Sequence, residues 1–133
     1  HFGTPWSANV QPFRALSQES CAFVFDQALF DDEEVEVLSY DGGKRIAAAL
    51  GDNKFCILRN HGSLTVGGSV EEAVGWFAMS ERVAEVHVKA PNGIAISDGA
   101  AAIAAETLAP AATGWRLFQW LVRSVVDDPS VVD

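Results

Sequence analysis

The sequence has little positive charge. Nine Lys and Arg stand against eighteen Asp and Glu, a net charge of -9. Nucleic acids and anionic membrane surfaces are held by clustered cations, so neither is expected as a partner. Long apolar runs are also lacking. A bilayer span needs about 18 to 20 consecutive apolar residues, and the longest aliphatic stretches here are interrupted by Gly, Asp or Arg. No membrane span is expected. The opening HFGTPWS has neither the basic start nor the apolar run of a signal peptide. Cysteine is scarce: Cys21 and Cys56 sit far apart in apolar contexts without a Cys-x-x-Cys spacing. That removes support for a zinc ribbon or a thioredoxin-like motif. It predicts two buried free thiols of a reducing, cytoplasmic compartment. No Gly-x-Gly-x-x-Gly, Walker loop, Gly-x-Ser-x-Gly elbow or His-Glu-x-x-His occurs, so Ser7, Ser63 and Ser80 have no recognisable catalytic context.

What is present is a chain of 133 residues, 49% hydrophobic and 20% charged, which can bury a real core. Without an internal repeat or linker, residues 1–133 read as one globular domain. Residues 1–16 mix Gly, Pro and polar positions and read as irregular, with room for a short helix. Residues 17–23 suit one helical turn, and residues 24–25 and 28–30 look strand-like. The acidic run Asp31-Asp32-Glu33-Glu34 breaks that strand and reads as a solvated loop, since it lacks the Gly and spaced acceptors of a calcium loop. Asp41-Gly42-Gly43 reads as a turn, and residues 44–50 as a short helix ending at Gly51.

Residues 55–58 form a continuous apolar run suited to a strand buried on both faces, with residues 63–66 as its neighbour. Ser69-Val70-Glu71-Glu72 is a capping box, in which the Ser69 hydroxyl accepts from the amide of Glu72 and the Glu72 carboxylate reaches back to the amide of Ser69. Beyond it, Ala73, Val74, Trp76, Phe77, Val83, Ala84 and Val88 recur at helical spacing up to about Lys89. Ser97-Asp98 caps an alanine-rich helix over 99–108. A last helix begins at Thr113 or Gly114, with Trp115, Leu117, Phe118, Trp120, Leu121 and Val125 on its apolar face.

The stretch Arg59-Asn60-His61-Gly62-Ser63 sets a histidine in a tight turn between two apolar runs, where its ring can face a ligand. Read from the residues alone, His61 is either a turn residue hydrogen-bonded through one ring nitrogen or a metal ligand. Gly62 supplies a turn with positive φ, and Asn60 bonds the turn backbone or orients the ring. His87, between Val86 and Val88, reads as a helix-surface or interhelical residue. Glu71, Glu72 and Glu81 are accounted for by the helix dipole and solvent.

Residues 55–90, with RNHGSLTVGGSVEEA at their centre, resemble the class II aldolase/adducin family; FGTPWSA, SQESCAFVFDQALF and GWRLFQWL extend the resemblance along nearly the whole chain. The resemblance implies an α/β fold, a three-layer α/β/α sandwich on a largely antiparallel central sheet, here truncated at the N-terminus. It places His61 at a divalent metal, most simply zinc, as one of three imidazoles. The other two belong to a His-x-His pair ending two residues before the position of His1, and a catalytic glutamate lies further upstream. His1 is then pocket-lining at best. Phe2, Thr4 and Trp6 lie on the segment leaving the metal strand, with core packing preferred for Phe2 and Trp6.

The implied activity is that of a metal-dependent lyase, cleaving or decarboxylating a small hydroxy-carbonyl or hydroxy-acid substrate through a metal-stabilised enediolate. The implied assembly is a homo-oligomer, commonly a tetramer, or association with the missing N-terminal half. A non-catalytic adducin-like interaction module is the alternative. With one ligand of three, the chain alone is expected to bind zinc weakly and to be inactive.

Overall fold

The computed structural model describes residues 1–33 and 36–132; Glu34 of the acidic run lies outside them. In chain order the elements are α1 (Gly3–Ser7), a 3-10 turn (Glu19–Ala22), β1 (Gln27–Phe30), α2 (Tyr40–Leu50), β2 (Phe55–Leu58), β3 (Gly62–Thr65), α3 (Val70–Lys89), α4 (Asp98–Leu108), α5 (Ala111–Val125) and a closing 3-10 turn (Pro129–Val132). Among the described residues, no helix is long and apolar enough to cross a membrane.

The three strands form a sheet in the order β1-β2-β3. β1 runs parallel to β2, with Gln27 beside Phe55 and Phe30 beside Leu58. β3 returns antiparallel, with Leu58 beside Gly62. The sheet is therefore mixed, where a largely antiparallel one was expected. The parallel pairing follows from α2, which supplies the crossover that two parallel strands need. Strand side chains alternate between faces. Phe55 and Ile57 join Trp76 and Val83 of α3 in the main core, so Leu58 points to the opposite face, where Phe30 and Ile46 of α2 meet it around a cavity.

α3 begins where the capping box placed it: Ser69 Oγ accepts from the amide of Glu72 at 3.2 Å. The reciprocal bond lands one residue earlier than expected, because the Glu72 carboxylate takes the Gly68 amide at 2.8 Å while its other oxygen takes the Trp76 indole N–H at 3.0 Å. That anchors the fully buried Trp76. The buried stripe of α3 is Gly75, Trp76, Met79, Ser80, Val83, Ala84 and His87; Val74, Phe77 and Val88 sit at its exposed margins. Lys54, 9% exposed, lies over the Trp76 ring at 4.3 Å and ties α4 down by donating to the carbonyl of Ala109 at 2.9 Å.

β3 is shifted by one residue from the expected 63–66, and three larger differences separate the structure from the sequence reading. Asp41-Gly42-Gly43 is helical rather than a turn, because Ser39 caps α2 by accepting from the Gly42 amide at 3.0 Å. Val24 and Phe25 belong to a turn, not a strand; the Val24 amide bonds back to Ser20 at 3.2 Å. α5 starts at Ala111, directly after Pro110. Its packed side also differs from the expected face: Gly114 and Val122 are buried, whereas Trp115, Trp120 and Val125 are exposed. α5 crosses α3 at two glycines, so close that a Cβ on Gly75 would lie 1.8 Å from the Gly114 carbonyl oxygen. A helix that near cannot also turn its tryptophans inward.

Candidate functional site

β2 ends in a short turn, residues 59–61, that hands the chain to β3. The His61 amide donates to the Leu58 carbonyl at 3.0 Å. Asn60 takes a left-handed φ of 56° and Gly62 a φ of 150°, which a short asparagine and a glycine tolerate better than a bulkier side chain would. The buried run Phe55-Cys56-Ile57 fixes where this turn emerges. His61 is exposed on it.

A second element braces the turn. The amide of Asn60 meets the carbonyl of Ser7, the last residue of α1, at 3.4 Å. α1 lies along the start of β3: a Cβ on Gly3 would approach Ser63 Oγ at 3.1 Å, and one on Gly62 would approach Thr4 Oγ1 at 3.6 Å. α1 itself hangs from Glu81, whose carboxylate accepts from the amides of Phe2 at 2.8 Å and Gly3 at 2.9 Å. Glu81 is therefore no solvent-facing helix residue, as the sequence suggested, but the clasp that holds the segment beside His61. Phe2 and Trp6 pack on the core as expected. His1 leans towards the same carboxylate at 3.8 Å with its side chain 94% exposed.

Of the two readings of His87, helix-surface or interhelical, the first is excluded: the residue is completely buried, between α3 and the segment that carries α1. Its Nδ1 donates to the Val83 carbonyl at 2.8 Å, and its Nε2 accepts from the Arg14 amide at 2.9 Å. That pattern requires the neutral tautomer protonated on Nδ1. The ring packs on Trp6 at 4.7 Å and Phe13 at 5.0 Å between centroids. Burial pushes its pKa below the ordinary imidazole value. Cys21 and Cys56 are free and buried, and burial pushes both thiols up, away from the thiolate that reactivity needs.

The structure thus separates the three histidines: one in the turn, one on Glu81, one in the core. Among the described residues no group of three or more His, Cys, Asp or Glu side chains is placed to hold a metal ion. The donor set of a three-ligand site is not complete within them, and His61 could supply one position of it. Asp31 and Asp32 are engaged as cation partners: Asp31 with Arg59 at 2.6 Å and Asp32 with Arg45 at 2.6 Å.

Next to His61 lies a cavity of about 210 Å³. It is lined by the apolar side chains of Phe30, Val37, Leu38, Ile46 and Leu58 and by the polar ones of Asp32, Glu36, Arg59 and His61. It sits at the carboxyl ends of the parallel pair β1 and β2, the edge where open α/β sheets commonly bind ligands. The sequence reading missed the cavity, since its lining comes from four separated segments. The sequence signals that could have pointed there were the cation of Arg59 in the turn and the apolar pair Val37-Leu38 between the acidic run and Ser39.

The family model for the class II aldolase and adducin N-terminal domain matches residues 1–88. The chain is 31% identical over 121 residues to the 4-hydroxy-3-prenylphenylpyruvate oxygenase/4-hydroxy-3-prenylbenzoate synthase of Streptomyces roseochromogenus subsp. oscitans, covering 89% of this chain and 44% of that protein. It is 36% identical over 89 residues to the decarboxylase NovR of Streptomyces niveus, covering 67% of this chain and 33% of the relative. Its fold superposes on the L-fuculose 1-phosphate aldolase from Glaciozyma antarctica PI12 with a TM-score of 0.79 at 33% identity, covering 93% of this chain and 49% of that one. The chain therefore spans less than half the length of each of these proteins. In sequence over most of its length and in fold, this chain belongs to the class II aldolase and adducin family.

Proposed function

We propose that this chain is part of a divalent-metal-dependent lyase that cleaves a carbon-carbon bond in a small hydroxy-carbonyl or hydroxy-acid substrate, by aldol cleavage or decarboxylation, with His61 as one ligand of the metal. The carrying observation is the exposed imidazole at the end of β2, on a turn whose left-handed Asn60 and positive-φ Gly62 are braced by α1. Zinc is the simplest metal for a site built on neutral imidazoles. When bound, it would supply charge stabilisation to an oxygen of the substrate. Among the described residues, His61 would supply one position of the metal's donor set. The role of this chain's own residues is to hold His61 in position and to wall the cavity beside it. The decarboxylase and aldolase names among its relatives support the reaction class.

Residues 1–133 form one domain of a three-layer α/β/α sandwich, supported by helices against both faces of the sheet. In the whole protein the sheet becomes largely antiparallel as further strands join it. Exposed Val70, Phe77, Trp115 and Trp120 support a homo-oligomer, most simply a tetramer, or association with the rest of the chain. Two buried free thiols support a cytoplasmic setting.

The test is elemental analysis and turnover of the full-length protein before and after His61→Ala. Loss of metal and of lyase activity together, in protein that still unfolds cooperatively and melts as the metal-stripped parent does, is the expected outcome. Stoichiometric metal surviving the substitution would remove His61 from the site.

A further inference from the structure

We infer that the cavity beside His61 receives the non-reacting part of the substrate, and that this part is an apolar ring or branched hydrocarbon rather than a polyhydroxylated chain. The inference rests on His61 marking the reaction centre. Five of the lining side chains, Phe30, Val37, Leu38, Ile46 and Leu58, offer no polar atom. Hydroxyl groups of a sugar seated among them would give up water for no partner, which disfavours such a body strongly. Two of the four polar lining side chains are engaged already, Arg59 with Asp31 and Asp32 with Arg45.

Size points the same way. A dry cavity of about 150 Å³ with comparable lining holds benzene, so the 210 Å³ here suits one substituted ring. Leu38 adds an independent observation: this leucine lines the cavity and is 82% exposed. A bound ring would cover it. The oxygenated end of the same molecule would then project from the mouth towards His61, placing the bond to be broken beside the imidazole and the apolar body against Leu58 and Ile46.

The experiment uses the full-length protein with labelled Ile, Leu and Val methyls. It titrates 4-hydroxybenzoate as the ring probe and dihydroxyacetone phosphate as the polar probe, with calorimetry in parallel. The ring probe is expected to shift the Ile46, Leu38 and Leu58 methyls, and the polar probe to leave them unmoved. Ile46→Trp fills the cavity and should weaken the ring probe at least about tenfold, whereas Ile46→Ala should stay within about threefold. Should Ile46→Trp fail to fold, Leu38→Trp at the exposed mouth gives the same occlusion without touching the core. The inference is overturned if the ring probe leaves these methyls unmoved, if the polar probe shifts them, if both occluding variants bind as the parent does, or if the methyls already contact another polypeptide segment. Failure of the lyase reading is read separately, as metal content and turnover that survive His61→Ala. Failure of this inference alone appears as unmoved methyls in protein whose metal still depends on His61.

Discussion

Gly75→Ala should destabilise the fold even though alanine is the better helix former. In the middle of α3 the exchange gains about 1 kcal/mol of helix propensity. Against it stands a Cβ placed 1.8 Å from the Gly114 oxygen and 2.6 Å from its carbonyl carbon, where real Cβ contacts below 3.0 Å are essentially never seen. The obstructing atoms are α5 backbone, which cannot rotate aside as a side chain could. α5 must therefore back away from α3 by more than about 1 Å, loosening Leu117 and Val122 against the core. Overpacking of this kind costs about 1–3 kcal/mol, and a rigid obstruction belongs at the upper end. The net expectation is a loss of about 1–2 kcal/mol, a fall in melting temperature of roughly 4–10 °C. Gly114→Ala, whose Cβ would meet Glu72 O and Trp76 Cε2 at 2.9 Å, should cost less. Gly43→Ala in α2, with nothing within 4 Å, should stabilise by up to about 1 kcal/mol. Thermal and urea denaturation followed by circular dichroism ranks the three. If Gly75→Ala melts at or above Gly43→Ala, the close crossing of α3 and α5 is wrong.

Other outcomes follow from the same contacts. His87 has a native pKa below the unfolded value of about 6.5, so its contribution is complete above that pH and is lost as pH falls towards the native pKa; His87→Gln should flatten the urea midpoint between pH 7.5 and 5.5, and an unchanged slope would assign the acid loss elsewhere. Glu81→Ala leaves the amides of Phe2 and Gly3 without their acceptor and should cost about 1–3 kcal/mol, with faster amide exchange at Trp6 and Asn60; fast exchange at Trp6 alone would uncouple α1 from the His61 turn. Lys54→Met removes the bond to Ala109, the ion pair with Asp26 at 3.1 Å and the contact over Trp76, and should cost about 1–3 kcal/mol, read from urea midpoints.

Legibility in the sequence tracked how local each cause was. α3 could be read because its cap and its stripe lie within one segment, and β2 because its apolar run is short and continuous. The start of α2 was hidden by Gly42-Gly43, whose turn propensity is outweighed by the Ser39 hydroxyl three residues earlier. The packed face of α5 could not be picked out by hydrophobicity, since both of its tryptophans, Trp115 and Trp120, stand exposed while Gly114 is buried. The decision came from the glycine crossing, which lies 39 positions apart in the chain. At the site, the turn of His61 was legible from Asn-His-Gly, while the cavity draws its walls from β1, residues 37–38, α2 and β2 and has no signature in any of them.

The polar residues on the inner side of α3 show why the sequence misjudged them. Val83 and His87 are four apart, as are Gly75 and Met79, so His87 lay on the buried stripe by spacing alone. Its polarity argued for the surface. What reconciles the two is the segment 1–14, which is largely irregular and cannot satisfy its own amides. His87 takes the amide of Arg14, and Glu81 takes those of Phe2 and Gly3. Each bond spans more than seventy residues, so no local pattern could announce it. α3 therefore acts as the template on which an irregular segment is laid, and that segment, through Ser7 and Asn60, fixes the turn that presents His61. A polar side chain on a buried helix stripe is here the mark of a distant backbone that has no other partner, and the shape of the candidate site depends on it.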